Sequence, residues 1–176
     1  MEKAILNLEK LPITPVLQDF NYDCGRAVVK TLLKSLGKET DEILLQDKLK
    51  TNSRTGTHPT RIVDTLQQMG LSLVEKIGAE LSDLEEMVSQ GYYCLVVYQA
   101  WGNKKERRRL ESGHYSLVYA TDLEYVHLAD PLVEESDGFG MGEGLRRLEK
   151  TSFDGDWRDQ DYRGRIYDHW MLAVKA

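Results

Sequence analysis

Cysteine is scarce in this chain: two residues among 176, Cys24 and Cys94. That number excludes a disulfide framework, which needs more cysteines in a smaller secreted chain. Cysteine and histidine also never fall in the close pairs that a zinc site requires, so no metal is expected. Long apolar runs are missing too. The longest, residues 92–100, is strand-sized and far short of the roughly 18–20 apolar residues of a membrane span. Residues 1–10 break their apolar stretch with charges, unlike the uninterrupted core of a secretory signal, and the expected location is cytoplasmic. Basic charge is not in excess. The formal net charge is -6, which argues against a nucleic-acid partner, since such binders carry a basic face. No repeat, low-complexity segment or linker rich in proline and glycine divides the chain.

What is present suits one compact domain over residues 1–176. Hydrophobic residues make up 41% of the chain, enough for a sizeable core. Residues 21–23 can cap a helix whose apolar positions Val28, Val29, Leu32, Leu33 and Leu36 recur at three- and four-residue spacing, and Gly37 ends it. A second helix is expected over residues 41–50, with Thr40 as its cap. A third starts near Pro59 and ends at Met69 and Gly70. Ser82-Asp83-Leu84-Glu85 has the form of a capping box, opening a short helix that Gly91 closes. Residues 92–100, 114–120, 125–130 and 170–174 are rich in aromatic and β-branched residues and read as strands, with residues 71–77 as one more. Helices first and an antiparallel sheet second is the α+β pattern, here a helical lobe over about residues 15–91 and a sheet lobe over about 92–176. The one charge run, residues 104–109, is expected to form a solvated loop.

Cys24 falls at the start of the first helix. A helix N-terminus presents unpaired N–H groups and partial positive charge, both of which favour the nucleophilic thiolate. The Cys24 N–H would point at an oxyanion on an attacked carbonyl, and Gly25 lets a substrate approach the backbone. A buried helix-start cysteine without a role fits the same segment. Cys94 lies within a buried strand and is expected to be inert.

A thiol nucleophile needs a base, and the base an orienting group. His58 reads as a cap or surface residue before Pro59. His127 alternates with Val126 and Leu128 as an ordinary strand side chain. His169 has no acidic partner in an obvious register. His114 opens a strand and faces an acid across a hairpin. A three-residue loop at Thr121, Asp122 and Leu123 pairs Ala120 with Glu124 and sets His114 directly opposite Asp130, where paired Cβ atoms lie about 4.5–5.5 Å apart. A carboxylate there fixes the tautomer and orientation of the ring. An ordinary His–Asp pair on the surface would look alike.

Several short motifs then fall in order: Gln18 six residues before Cys24, Asp23-Cys24-Gly25, Gly113-His114-Tyr115 and Leu128-Ala129-Asp130-Pro131. Together they resemble cysteine peptidase family thirty-nine, the bacteriocin-processing family of the papain-like clan, which includes domains that trim double-glycine leader peptides. Thr55-Gly56-Thr57, Gln99-Ala100-Trp101 and Phe153 with Trp157 are similar to the same family. The resemblance covers roughly residues 15–175. It implies a papain-like cysteine hydrolase fold with no cofactor and a peptide as substrate. Cys24 would be the nucleophile, His114 the base, Asp130 the orienting acid and Gln18 a side-chain donor to the oxyanion. Gly25 and Gly113 are the expected substrate-contacting positions. Arg26 departs from the family, where many relatives have a small residue or proline after Cys-Gly, and that bears on the substrate groove.

The leading expectation is hydrolysis of a peptide or amide bond through a thioester. Acyl transfer to an amine, as in transpeptidases of this clan, uses the same residues. A silent papain-like fold serving as a binding module is the reading from a different class, and a reactive Cys24 discriminates against it.

Overall fold

A computed structural model of the chain describes residues 10–132 and 141–175. The charged start that lacks the pattern of a secretory signal, residues 1–9, lies outside them. Helix α1 (Cys24–Ser35) follows the apolar spacing, burying Val28, Val29, Leu32 and Leu33. Each such side chain contributes roughly 1.5–3 kcal/mol when taken from water, which fixes α1 on the sheet. Gly37 stops it in the left-handed region at φ +67, and the Lys38 N–H reaches back to the Leu33 carbonyl at 2.8 Å. Glycine takes that turn without strain.

Helix α2 (Glu42–Leu49) is capped by Asp41 rather than Thr40. The Asp41 carboxylate accepts from both Ile43 N–H at 2.8 Å and Leu44 N–H at 3.0 Å, which a hydroxyl one residue earlier does not reach. Helix α3 (Pro59–Gln68) begins at Pro59, with His58 as its cap. Strand β1 (Ser72–Lys76) leads to α4 (Leu81–Ser89). Its capping acid is Asp83, which accepts from Glu80 N–H at 2.7 Å, so the box sits two residues before the expected Ser82–Glu85 pairing. The remaining elements are β2 (Tyr93–Gln99), α5 (Lys104–Arg108), β3 (Gly113–Thr121), β4 (Tyr125–Ala129), β5 (Leu145–Glu149), α6 (Lys150–Asp156), β6 (Arg158–Gln160), β7 (Ile166–Asp168) and β8 (Met171–Lys175). The charge run expected as a loop is therefore mostly the short helix α5, because Asn103 caps it by accepting from the Lys105 and Glu106 N–H groups.

Six strands form one sheet in the order β1-β8-β2-β3-β4-β5, every pair antiparallel, and β6 and β7 form a separate ribbon. On one face Val28, Leu32, Leu45, Ile62 and Leu66 from the first three helices pack on Tyr115 and Leu117. On the other, Leu84, Val88 and Phe153 pack on Val96, Tyr98, Val118 and Leu128. The alternation of β3 therefore sends Tyr115 and Leu117 toward α1, and His114 and Ser116 the other way with Val118.

The β3–β4 hairpin departs from the expected register. Thr121 pairs with Val126 and Ala120 with His127, but Val118 pairs with Leu128 and Leu117 with Ala129, with a bulge in between. The turn is built on Asp122, whose Oδ1 accepts from the Glu124 and Tyr125 N–H groups. The bulge leaves one extra residue, Tyr119, in β3 and restores the face parity that the turn had shifted. Continued past Leu117, the register sets Asp130 beside Ser116 and not directly across from His114. An offset of two residues keeps both side chains on one face.

The segment before α1 straps the domain together. Leu11 N–H donates to the Tyr119 carbonyl at 3.0 Å, the Tyr93 hydroxyl to the Pro12 carbonyl, Val16 N–H to Thr31 Oγ1 at 3.0 Å and Gln18 N–H to the Pro131 carbonyl at 2.9 Å.

Candidate active site

Cys24 is the first residue of α1, and the Asp23 side chain before it makes no capping hydrogen bond. The Asp23 side chain, expected as part of the cap, turns instead to Arg26 and to the Asp19 N–H at 3.4 Å. Among the described residues no side chain caps the first-turn N–H groups beside Cys24, and the partial positive charge of the helix end acts at the thiol. Arg26 bonds to Asp23 and also meets Asp19 at 3.0 Å and Glu42 at 3.5 Å. It neutralises the buried acid next to Cys24, and its own pKa is raised chiefly by the Asp23 hydrogen bond. Arg26 does not line the cavity at Cys24.

His114 and Asp130 are both about 1% exposed. His114 Nε2 and Asp130 Oδ1 lie 2.7 Å apart. The Asp130 carboxylate also accepts from the Tyr98 hydroxyl at 2.9 Å, from Leu132 N–H at 3.0 Å and from Arg146 Nη1 at 3.3 Å. Tyr98 stands directly across from His114 in the β2–β3 pairing. Burial opposes the Asp130 charge, but the His114 hydrogen bond and charge, the Leu132 N–H and Arg146 prevail and hold its pKa down to about 2. For His114 burial likewise opposes the cation, while hydrogen bonds and charge from Asp130 and from Cys24 raise its pKa to about 9. Asp130 thus takes Nε2 of the ring, and Cys24 is near enough to the same ring to add to the rise. Trp101, 44% exposed, lies against this ring with centroids 5.3 Å apart. Cys94 is fully buried in β2, and burial pushes its thiol well up.

The Gln18 amide donates to the Phe20 carbonyl at 2.7 Å, the same carbonyl that receives the Asp23 N–H at 3.2 Å. This anchors Gln18 at the foot of α1 with one amide hydrogen still free, because the amide nitrogen carries two. Its Oε1 is buried without a hydrogen-bond partner among the described residues. Gly25 is buried, and a Cβ there would lie 2.6 Å from the Thr57 Cβ. The space beside its Cα is thus filled by Thr57 of the chain's own loop. Gly113 does line the cavity at Cys24.

The other histidines take separate partners. His58 caps α3 and lies 3.2 Å from Asp161, and His127 lies 2.7 Å from Asp122. His169, read as lacking an acid, has Asp168 at 2.9 Å and Asp154 at 3.5 Å. Sequence reasoning missed Tyr98 and Arg146 at the carboxylate and Asp159 in the cavity. Tyr98 was within reach, since pairing residues 92–100 with residues 114–120 brings it across from His114. Arg146 had no such signal.

Helices on an antiparallel sheet, with a cysteine opening the first helix and a buried imidazole–carboxylate pair at the sheet, are the arrangement of papain-like cysteine peptidases. The sequence matches the model of the Peptidase C39 family over residues 13–159, and the chain belongs to that family of cysteine peptidases. Among solved structures it is similar to a putative C39-like peptidase from Bacillus anthracis, with a TM-score of 0.70 and 12% identity over 96% of this chain and 98% of that one. It is also similar to a double glycine motif protease from an AMS/PCAT transporter in complex with its leader peptide, at TM-score 0.64 and 12% identity, covering 95% and 94%. The peptidase domain of Streptococcus ComA, a bifunctional ABC transporter of a quorum-sensing pathway, aligns at TM-score 0.61 and 22% identity, covering 94% and 96%. No curated protein matches. Among the described residues no helix is long and apolar enough to cross a membrane.

Proposed function

We propose that the chain hydrolyses a peptide bond with Cys24 as nucleophile, His114 as proton carrier, Asp130 as orienting acid, and the Cys24 N–H with the Gln18 amide as oxyanion donors. The observation that carries this reading is the buried His114–Asp130 hydrogen bond of 2.7 Å, with Cys24 near enough to the ring to raise its pKa. The ring then holds a proton at neutral pH and faces a thiol at a helix start, the setting that favours a thiolate–imidazolium pair. Cys24 sulfur attacks the carbonyl carbon, and the carbonyl electrons move onto the oxygen, where the two donors meet the charge. The C–N bond breaks as His114 passes its proton to the leaving amine. Water, deprotonated by the same ring, attacks the thioester and expels Cys24, which completes hydrolysis. A peptide substrate agrees with the leader peptide bound to the double-glycine protease neighbour.

Brief iodoacetamide labelling read by mass spectrometry tests the assignment. Cys24 should react much faster than Cys94, and His114→Ala should slow Cys24 alone. Equal labelling, or preference for Cys94, overturns it.

A further inference from the structure

Asp130 is met on both of its oxygens. Oδ1 takes His114 Nε2 at 2.7 Å and the Leu132 N–H at 3.0 Å. Oδ2 takes the Tyr98 hydroxyl at 2.9 Å and Arg146 Nη1 at 3.3 Å. Cross-strand pairing brings these groups together. Tyr98 of β2 stands across from His114 of β3, and Arg146 of β5 stands across from Leu128 of β4. The Asp130 N–H continues that pairing by donating to the Gly144 carbonyl at 2.9 Å. Asp130 and Leu128 share a face, so the guanidinium needs one diagonal step to reach the carboxylate.

The two oxygens serve different ends. On Oδ1 the contact with Nε2 aims the imidazole. On Oδ2 a cation competes with that imidazole for the same negative charge. The Arg146 side chain is 18% exposed and that of Asp130 is fully buried, so salt screens their attraction weakly. Arg146 is among the groups that hold the Asp130 pKa down. Of the other titratable groups, Cys24 from α1 and Tyr98 from β2 face the His114 ring, and Trp101 adds aromatic surface. Asp159 of β6 stands where a side chain at Gly113 would be, on the opposite face of β3 from His114.

The ring has two opposed duties. It must hold a proton to keep the Cys24 thiolate, and it must yield that proton to the leaving amine. A buried carboxylate with its whole charge on Nε2 favours the first and hinders the second. We propose that Arg146 is a positioning residue that acts on His114 through Asp130, sharing the carboxylate's charge so that the imidazolium gives up its proton more readily. The inference rests on the Cys24–His114 reading and adds the group that sets the acidity of the proton carrier. Its sign separates it from scaffolding. Losing a mere prop loosens the His114–Asp130 bond, and the ring pKa falls toward that of free imidazole. Losing a charge that competes for Asp130 tightens the bond, and the ring pKa rises.

The test follows the imidazole carbon signals of the full chain, labelled with carbon-13 histidine, by NMR between pH 6 and 10.5. The His114 signal is the one missing from His114→Ala. Its midpoint, near pH 9 in the wild type, should rise in Arg146→Gln. The expected rise is about 0.5–1 pH unit, less than the roughly 1–3 units exerted by an ion set directly against a titrating group. Arg146→Lys keeps the charge and should recover most of the wild-type value. Tyr98→Phe removes the other Oδ2 donor without removing a charge and should raise the midpoint by less. An unchanged or lowered midpoint in Arg146→Gln, or a rise that Arg146→Lys does not reduce, overturns the inference and leaves the nucleophile standing. Should Arg146→Gln fail to fold, an unchanged or lowered midpoint in Tyr98→Phe overturns it equally. A wild-type His114 that releases its proton near pH ~6.5, with Cys24 no faster than Cys94 toward iodoacetamide, refutes instead the reading on which the inference rests.

Discussion

Asparagine at position 159 keeps the side chain's shape and an oxygen for Gln99 while removing its charge. In the folded chain burial raises the Asp159 pKa to about 6, outweighing the Gln160 N–H and Gln99 hydrogen bonds that lower it, with Asp161 adding to the rise. An unfolded aspartate titrates near 3.9, and about two pKa units at 1.36 kcal/mol each amount to roughly 3 kcal/mol. A folded pKa above the unfolded one means that stability is full while both states hold the proton, below about pH 4, and is lost as pH rises through about 6. Asp159→Asn never ionises and escapes that loss. Urea unfolding of both proteins at pH 4, 5, 6, 7 and 8 measures the difference. The variant should match the wild type at about pH 4 and exceed it by ~2–3 kcal/mol at pH 8, with the gap opening between. A gap that is flat with pH, or a wild type that is the more stable at pH 8, would show that the carboxylate is not desolvated.

Gln18→Ala should fold and keep a reactive Cys24 yet lose on the order of 10²–10³ in turnover, the usual effect of removing one oxyanion donor; unchanged turnover removes Gln18 from the site. The basic limb of kcat/KM should have its midpoint near pH 9, because His114 holds its proton to about that value. Asp130→Asn takes away the carboxylate charge while leaving an amide oxygen and Cys24 beside the ring, so the midpoint should fall below 9. A limb that stays near 9 in that variant would mean that another group sets it.

Helix α1 was legible because its buried face is written in local spacing, from Val28 to Leu33, and its stop in one glycine. The His114–Asp130 pairing was legible for a narrower reason. Face parity survives a two-residue offset in register, so the right partners emerged from the wrong alignment. The bulge at Tyr119 was hidden because no local residue preference announces it. Strands β5 and β6 were missed for a related cause: Leu145-Arg146-Arg147-Leu148-Glu149 and Arg158-Asp159-Gln160 are mostly charged or polar, and their pairing comes from the partner strand. The Thr57 contact at Gly25 was out of reach, since only the folded loop shows that side chain filling the space beside it. Asp159 lies in such a strand, and its burial follows from docking of the β6–β7 ribbon beside Gly113.

The strap ahead of α1 makes the two ends of the site mechanically one. Gln18 N–H holds the carbonyl of Pro131, the residue after Asp130, and the same segment is pinned to β3 at Tyr119 and to α1 at Thr31. Peeling that segment away would unseat the amide at Gln18 and loosen the peptide that follows the orienting acid in a single event. Local opening here has no half-competent form, so activity should vanish in one step with denaturant, ahead of the core.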